Sequence, residues 1–274
     1  MSYSKMTTYK DCPAKYKFQY VDKYRQDATS SAFLFGLAFD QAVNYILNKH
    51  KKGQTPDLKH AKKAFLKGMK LWHGQNELIY FKADLPDALR TMDAKVNQQL
   101  AWNHLCMLGQ MMVEEYVTKI LPHIKRVVLV QKRKIVKNGA QDELNFVLDC
   151  IVELQDGRVV LFDTKTSSKQ YARNSVRFSE QLAMYNEYYP TEWCGYIVFN
   201  KHLKKDGTLK WQIIVDKIDE QQKATVFKDM DDTVTSIKAG LFPKNKKSCY
   251  NFGRRCEYFN LCHKGDPSGL IKKP

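Results

Sequence analysis

The chain has 274 residues, 43% of them hydrophobic and 27% charged, which is enough apolar material for a sizeable core. Lysine and arginine number 45 against 29 acids, a formal net charge of +16; this points to a polyanionic partner, nucleic acid first, with a merely solvated lysine-rich surface as the equal alternative. No stretch approaches the ~18 apolar residues of a membrane span, and the polar start MSYSKMTTYKDC lacks an apolar signal core, so a cytoplasmic protein is expected.

In chain order, SKMTTYKDCPAKYKFQYVDKY predicts a helix with Ser4 as cap, broken at Pro13, which suits the first turn of a second helix. In SAFLFGLAFDQAVNYILNKHKKG, Phe39, Val43, Ile46 and Leu47 recur at helical spacing and Gly53 supplies a stop. From Asp57 to about Leu121 the pattern stays helical, punctuated by Pro56, Pro86 and Pro122. The character then changes. Val127 to Val136, Leu144 to Leu154 and Arg158 to Asp163 are rich in β-branched residues, and Asn138-Gly139 and Asp156-Gly157 separate them, which predicts strands joined by tight turns. A helix through FSEQLAMYNEYY, a strand from Cys194 to Asn200, a turn at Asp206-Gly207, a strand from Lys210 to Val215 and a helix from about Glu220 to Ala239 follow. The expected fold is α/β, a central mixed β-sheet flanked by helices, with a helical N-terminal half. No repeat or linker forces a boundary, so a single domain over 1–274 is expected: a helical part of about 1–123, a core of about 124–240 and a cysteine segment of about 241–274.

The strand VLFDTKTS ends in an acid and a lysine two residues apart, and alternation puts Asp163 and Lys165 on one face. If Gln155-Asp156-Gly157 form a three-residue loop with a left-handed Gly157, Leu154 faces Arg158 and Asp149 faces Asp163; a two-residue loop puts the two acids on opposite faces. Carboxylates roughly 5 Å apart repel by about 3 kcal/mol at an effective dielectric of about 20. A divalent cation, Mg or Mn for hard oxygen ligands, offsets that repulsion. Lys165 beside it can position the attacking water and offset charge on a phosphate. The competing reading of Asp163 and Lys165 is a surface ion pair at a strand end.

These residues resemble the PD-(D/E)XK nuclease superfamily, and within it the RecB-like exonuclease branch, which includes CRISPR-associated and phage exonucleases. Asp149 matches the first strand acid, Asp163-Thr164-Lys165 the D-x-K element, and Gln181 to Tyr185 the Q-x-x-x-Y helix, whose two named residues share a face. The resemblance covers most of the chain and implies a restriction-endonuclease-like core in a bacterial or phage-infected cell. It implies catalytic roles for Asp149, Asp163, Lys165, Gln181 and Tyr185, and metal ligation by Asp40, Asp149, Asp163 and Thr164. The family's G-x-x-x-H element reads Gly36-Leu37-Ala38-Phe39-Asp40 here, so an aspartate stands where the family has a histidine ligand. Read without the resemblance, Asp40 is a solvent-facing acid near a helix start.

Seven cysteines are present. Cys106, Cys150 and Cys194 sit in apolar or helical surroundings and read as packing residues. Cys249, Cys256 and Cys262 cluster in SCYNFGRRCEYFNLC, and Cys12 lies in YKDCPAKYKF. In the branch with iron and sulfur, one early cysteine and three late ones hold a 4Fe-4S cluster, and the resemblance implies the same for these four. Their spacing is looser than that branch's pattern, and the residues alone leave a cluster, tetrahedral zinc or unligated thiols open.

The chain shows no phosphate-binding G-x-x-x-x-G-K loop, zinc-binding H-E-x-x-H helix or dinucleotide G-x-G-x-x-G turn, so a built-in motor is not signalled and a helicase or recombination partner is implied. Arg173, Arg177 and Lys201 are candidates for phosphate contact, as are Lys244, Lys246, Lys247, Arg254 and Arg255, each with a solvated surface role as the alternative. Tyr16, Phe18 and Tyr20 either stack on bases or pack beneath the cysteines. The expected function is a metal-dependent DNA nuclease, a single-strand-preferring exonuclease hydrolysing phosphodiester bonds. The alternatives are a non-catalytic nucleic-acid-binding or recombination-complex subunit on the same fold, and an RNA-directed nuclease.

Overall fold

A computed structural model describes residues 1–73, 77–81, 84–86, 89, 97–138, 142–251 and 254–272. It opens with helices α1 (Tyr3–Asp11) and α2 (Pro13–Tyr16) and strand β1 (Tyr24–Gln26). Then come β2 (Ala28–Ser30), α3 (Ser31–Lys51), α4 (Leu58–His73), β3 (Glu77–Ile79) and α5 (Gln98–Glu115). The strands β4 (Ile124–Asn138), β5 (Asp142–Leu154) and β6 (Val159–Ser167) precede α6 (Glu180–Tyr188), β7 (Trp193–Leu203), β8 (Leu209–Asp216) and α7 (Glu220–Lys238). Two short strands, β9 (Tyr250–Asn251) and β10 (Arg254–Arg255), helix α8 (Phe259–Lys264) and β11 (Leu270–Lys272) close the order. Among the described residues, no helix is long and apolar enough to cross a membrane. Residues 1–27, 133–146 and 220–274 form one compact unit; residues 28–132 and 147–219 form another.

In the second unit, α3 turns Leu34, Phe35, Ala38, Phe39, Ala42, Val43, Ile46 and Leu47 inward, the stripe that helical spacing anticipates. The helix is left at Gly53, whose N–H donates to His50 O at 2.9 Å. Phe39 meets Phe199 of β7 edge-on, with ring centroids 5.3 Å apart. Gly109 of α5 gives way to the Phe65 ring, where a Cβ would lie 1.9 Å from Cζ. The hydrophobic core cluster joins α3, α4 and α5 to strands β5 to β7.

The central sheet runs β4-β5-β6-β7-β8. β5 pairs antiparallel with β6, β6 parallel with β7, and β7 antiparallel with β8. Helix α6 lies in the crossover that the parallel pair requires. The sheet is mixed and flanked by helices, as expected.

Three details differ from the sequence reading. The cap of α1 is Ser2, whose Oγ accepts from Lys5 N at 3.3 Å, while Ser4 lies two residues further on, within the first turn. The short parallel pair β2–β3 was not anticipated. Strand β6 also continues to Ser167, because Thr164 to Ser167 pair with Ile197 to Asn200 of β7. Asp163 and Lys165 therefore sit within a strand and not at its end. Gly139 of the expected Asn138-Gly139 turn, and the side chain of Arg254, lie outside the described residues.

In the first unit, Cys12 is extended (φ −158°) between α1 and Pro13 at the start of α2. β1 pairs with β11 and β9 with β10, both antiparallel. Tyr16 is buried and stacks on Phe242 at 6.3 Å, and the Tyr9 hydroxyl donates to Leu241 O at 2.5 Å.

Candidate active site

The β5–β6 hairpin sets the register. Gly157 has φ +86°, open to glycine at little steric expense. Leu154 N donates to Arg158 O at 2.9 Å, and Gly157 N to Leu154 O at 3.0 Å, so the loop is Gln155-Asp156-Gly157. The ladder then pairs Glu153 with Val159 and Cys150 with Phe162, and one step further sets Asp149 against Asp163. That is the three-residue alternative.

Asp163 is 2% exposed. One of its oxygens accepts from Gln181 Nε2 at 2.9 Å, and the other faces Lys165 Nζ at 2.7 Å. Gln181 Oε1 accepts from Lys165 Nζ at 2.9 Å, while Gln181 Nε2 also donates to the Tyr185 hydroxyl at 2.8 Å. Ser179 starts α6 by accepting from Leu182 N at 3.0 Å, which fixes the turn that carries Gln181. Asp149 Oδ2 accepts from Thr164 N at 2.9 Å. On α3, Asp40 accepts from Asn44 Nδ2 at 3.2 Å and from Gln131 Nε2 at 3.0 and 3.1 Å.

The electrostatics show that these groups crowd one another. Burial pushes the Asp40 carboxyl up to about 6, with Asp163 adding to the rise and Asn44 and Gln131 opposing it. Burial, then repulsion from Asp163 and Asp40, holds Asp149 well above the ordinary carboxylate range. Asp163 is raised by burial against the pull of Lys165. Burial draws the Lys165 ammonium down, but Asp163 and then Asp149 outweigh it and hold it up. The Thr164 hydroxyl is buried with no hydrogen-bond partner among the described residues, a polar atom left for something else to satisfy. The donor set is all oxygen, which suits a hard divalent ion. Among the described residues, no group of three or more His, Cys, Asp or Glu side chains is placed so that it could hold a metal ion as it stands.

Asp40, Asp149, Asp163, Thr164, Lys165, Gln181 and Tyr185 thus belong to one unit and to one set of electrostatic or hydrogen-bonded neighbours. Gln131 was missed, since no motif contains it. Lys201 is elsewhere in character: it is 5% exposed, 3.9 Å from Asp84 and over the Phe35 ring at 4.8 Å. Asp84 itself is held by Phe81 N at 2.7 Å and Ser31 Oγ at 2.5 Å. Lys201 does not present its charge at the surface. Arg173 is exposed, and Arg177 is exposed with Asp216 3.4 Å away.

In the other unit, Cys12, Cys249, Cys256 and Cys262 line one cavity of about 20 Å³ together with Phe18, Tyr258 and His263. All four are free thiols. Cys249 Sγ lies 3.5 Å from His263 Nε2, and Cys256 N donates to Cys249 O at 2.8 Å. Phe18 packs on Tyr258 with centroids 5.9 Å apart, and Tyr16 on Tyr20 at 5.0 Å, so these aromatics serve packing. Cys150 and Cys194 are buried, and Cys106 is half-buried.

The sequence profile described as the PD-(D/E)XK nuclease superfamily matches residues 1–263. No curated protein matches the sequence. The crystal structure of SSO0001 is similar over 77% of this chain and 77% of its own, at 14% identity and a TM-score of 0.29. The structure of LHK-Exo in complex with dAMP is similar over 76% of this chain and 90% of its own, at 8% identity and a TM-score of 0.29.

Proposed function

Because the chain belongs to the PD-(D/E)XK nuclease superfamily, we propose that it is a metal-dependent DNA nuclease, an exonuclease that hydrolyses phosphodiester bonds at single-stranded ends. The observation that carries this reading is the gathering of three inward carboxylates, Asp40, Asp149 and Asp163, beside one ammonium, Lys165, in a largely buried place. Three negative charges against one positive leave an imbalance that a divalent cation neutralises.

Superfamily members typically use Mg or Mn. Asp40, Asp149 and Asp163 would hold the ion, and Thr164, whose N–H binds Asp149, turns its hydroxyl to the opposite face of β6 from Asp163 and Lys165. Such an ion lowers the pKa of water and neutralises charge on a phosphate. Lys165, pinned by Asp163 and Gln181, directs its N–H groups to orient the attacking water and to meet charge developing on the phosphate. Gln181 keeps Lys165 and Asp163 in place, and Tyr185 fixes the Gln181 amide. Arg173 and Arg177 contact the DNA backbone without reading bases, and a helicase or recombination partner supplies the opened strands.

We also propose a 4Fe-4S cluster on Cys12, Cys249, Cys256 and Cys262, because four free thiols line one cavity and four is a cluster's usual ligand count. Brown anaerobic protein with broad visible absorption is the expected result; colourless protein rejects the cluster.

The nuclease reading is tested with labelled single-stranded DNA and Mn²⁺. Asp163→Ala and Lys165→Ala should each slow cleavage by about 10²-fold or more. Equal degradation by all three proteins rejects the assignment, and wild-type protein that binds DNA without product is a binding subunit instead.

A further inference from the structure

Resting on that metal-dependent reading, we propose that Gln131 is the positioning residue for Asp40: a left-handed kink in β4 turns its carboxamide onto the Asp40 carboxylate and fixes that group for a divalent cation. Gln131 has φ +45° inside a strand, a conformation that a side-chain-bearing residue keeps only where its surroundings impose it. Such a kink in a strand re-aims a side chain. Here the re-aimed group is Nε2, which donates to both oxygens of Asp40, at 3.0 and 3.1 Å.

Asn44, one helical turn beyond Asp40 on α3, donates to Oδ2 at 3.2 Å. An aspartate's terminal torsion is otherwise broad, and donors from a helix and a strand together hold it. A carboxylate has roughly four acceptor positions. The two amides occupy three by these contacts, so the carboxylate keeps capacity for a cation while losing its freedom to rotate. A neutral amide also suits the place better than an acid, because Asp149 and Asp163 already raise the negative charge around Asp40.

The test is Mn²⁺ binding to the full chain, followed by electron paramagnetic resonance, alongside DNA cleavage and thermal melting. Gln131→Met keeps the length without the donors and should weaken Mn²⁺ binding by about 10- to 100-fold, with the fold intact by melting. Gln131→Gly, free of backbone strain, should weaken it as much, because the amide and not the kink does the holding. Gln131→Glu should also weaken it, by replacing a donor with a like charge. Wild-type affinity in Gln131→Met, or tighter binding in Gln131→Glu, overturns the positioning role; the latter would mark position 131 as a direct ligand. Failure of the underlying reading looks different: wild-type protein then binds no Mn²⁺, or Asp163→Ala binds it unchanged, and the proposal falls with it.

Discussion

The carboxylate site and the cysteine cavity are both sets of candidate ligands brought from distant parts of the chain, yet they are assembled on different physics. The acids sit on long strands and helices around the hydrophobic core cluster, which is drawn wholly from residues 28–132 and 147–219. Bringing them together opposes their charge, so each is held by explicit hydrogen bonds from Thr164, Gln181, Asn44 or Gln131. Cys256 and Cys262 oppose each other much less, because burial pushes Cys256 up to about 11 and raises Cys262 as well. The four cysteines sit on or beside short pieces, Cys12 between α1 and α2, Cys249 on a single 3₁₀ turn, Cys256 just after β10 and Cys262 on α8, tied by contacts such as Ser248 Oγ to Asp11 O at 2.7 Å. On the function proposed above, the first site gives up stability for activity, and the second would draw stability from the cluster proposed for it.

A crossed pair of variants tests that contrast at its largest. Asp163→Asn should reduce cleavage by about 10³-fold, equivalent to about 4 kcal/mol of barrier, while the metal-free protein melts no lower than wild type. If the proposed cluster is present, Cys256→Ala should do the reverse, leaving the carboxylates in place but lowering the melting temperature by about 5 °C or more. Calorimetry and cleavage rates on the same preparations decide the matter. If Asp163→Asn destabilises and Cys256→Ala does not, the contrast is inverted.

A smaller effect separates the two regions by pH. Asp40 rises from its ordinary 3.8 to about 6, so its contribution to folding is fully present below about pH 4 and is lost as pH rises through about 6. Asp149 and Asp163 shift the same way. In EDTA the protein should therefore lose about 2 kcal/mol of stability attributable to Asp40 between pH 4 and 7. Added Mn²⁺ should flatten that loss, and Asp40→Asn should flatten it without metal. Cys256, pushed up to about 11, stays protonated across the window and contributes no slope. Melting curves at several pH values measure this, and a wild-type slope matched by Asp40→Asn rules out the carboxylate as its source.

What could be read from the sequence follows from how local each cause is. The facing of Asp149 and Asp163 was legible because loop chemistry fixes register, and Gln181 with Tyr185 because four residues make one helical turn. The cap at Ser2, two positions from a second serine of the same capping propensity, was not. Lys201 read as a surface cation because its partner Asp84 comes from a remote segment. Gln131 was invisible for a deeper reason: its left-handed backbone belongs to the folded sheet and contradicts the residue's own preference. The polar run Thr164 to Ser167 looked like a strand's end, and pairing with β7 overrode that preference.

The finest prediction concerns what holds the acids opposite each other. Gly157 is left-handed at φ +86°, and a Cβ there meets nothing within 4 Å. Gly157→Ala thus introduces backbone strain without a clash, at about 1 kcal/mol. If the turn alone set the register, this loss would let β5 and β6 slip by one residue and carry Asp149 to the opposite face. But Cys150, Val152 and Val160 are 0% exposed and belong to the core cluster, while Ile151, 7% exposed on the opposite face, does not, and a slip would exchange these two differently packed faces at far greater expense. The variant should therefore melt about 2–4 °C lower and still cleave DNA at close to the wild-type rate. A collapse of cleavage out of proportion to the melting shift would show that a single glycine, and not the buried faces of the strands, keeps the two carboxylates side by side.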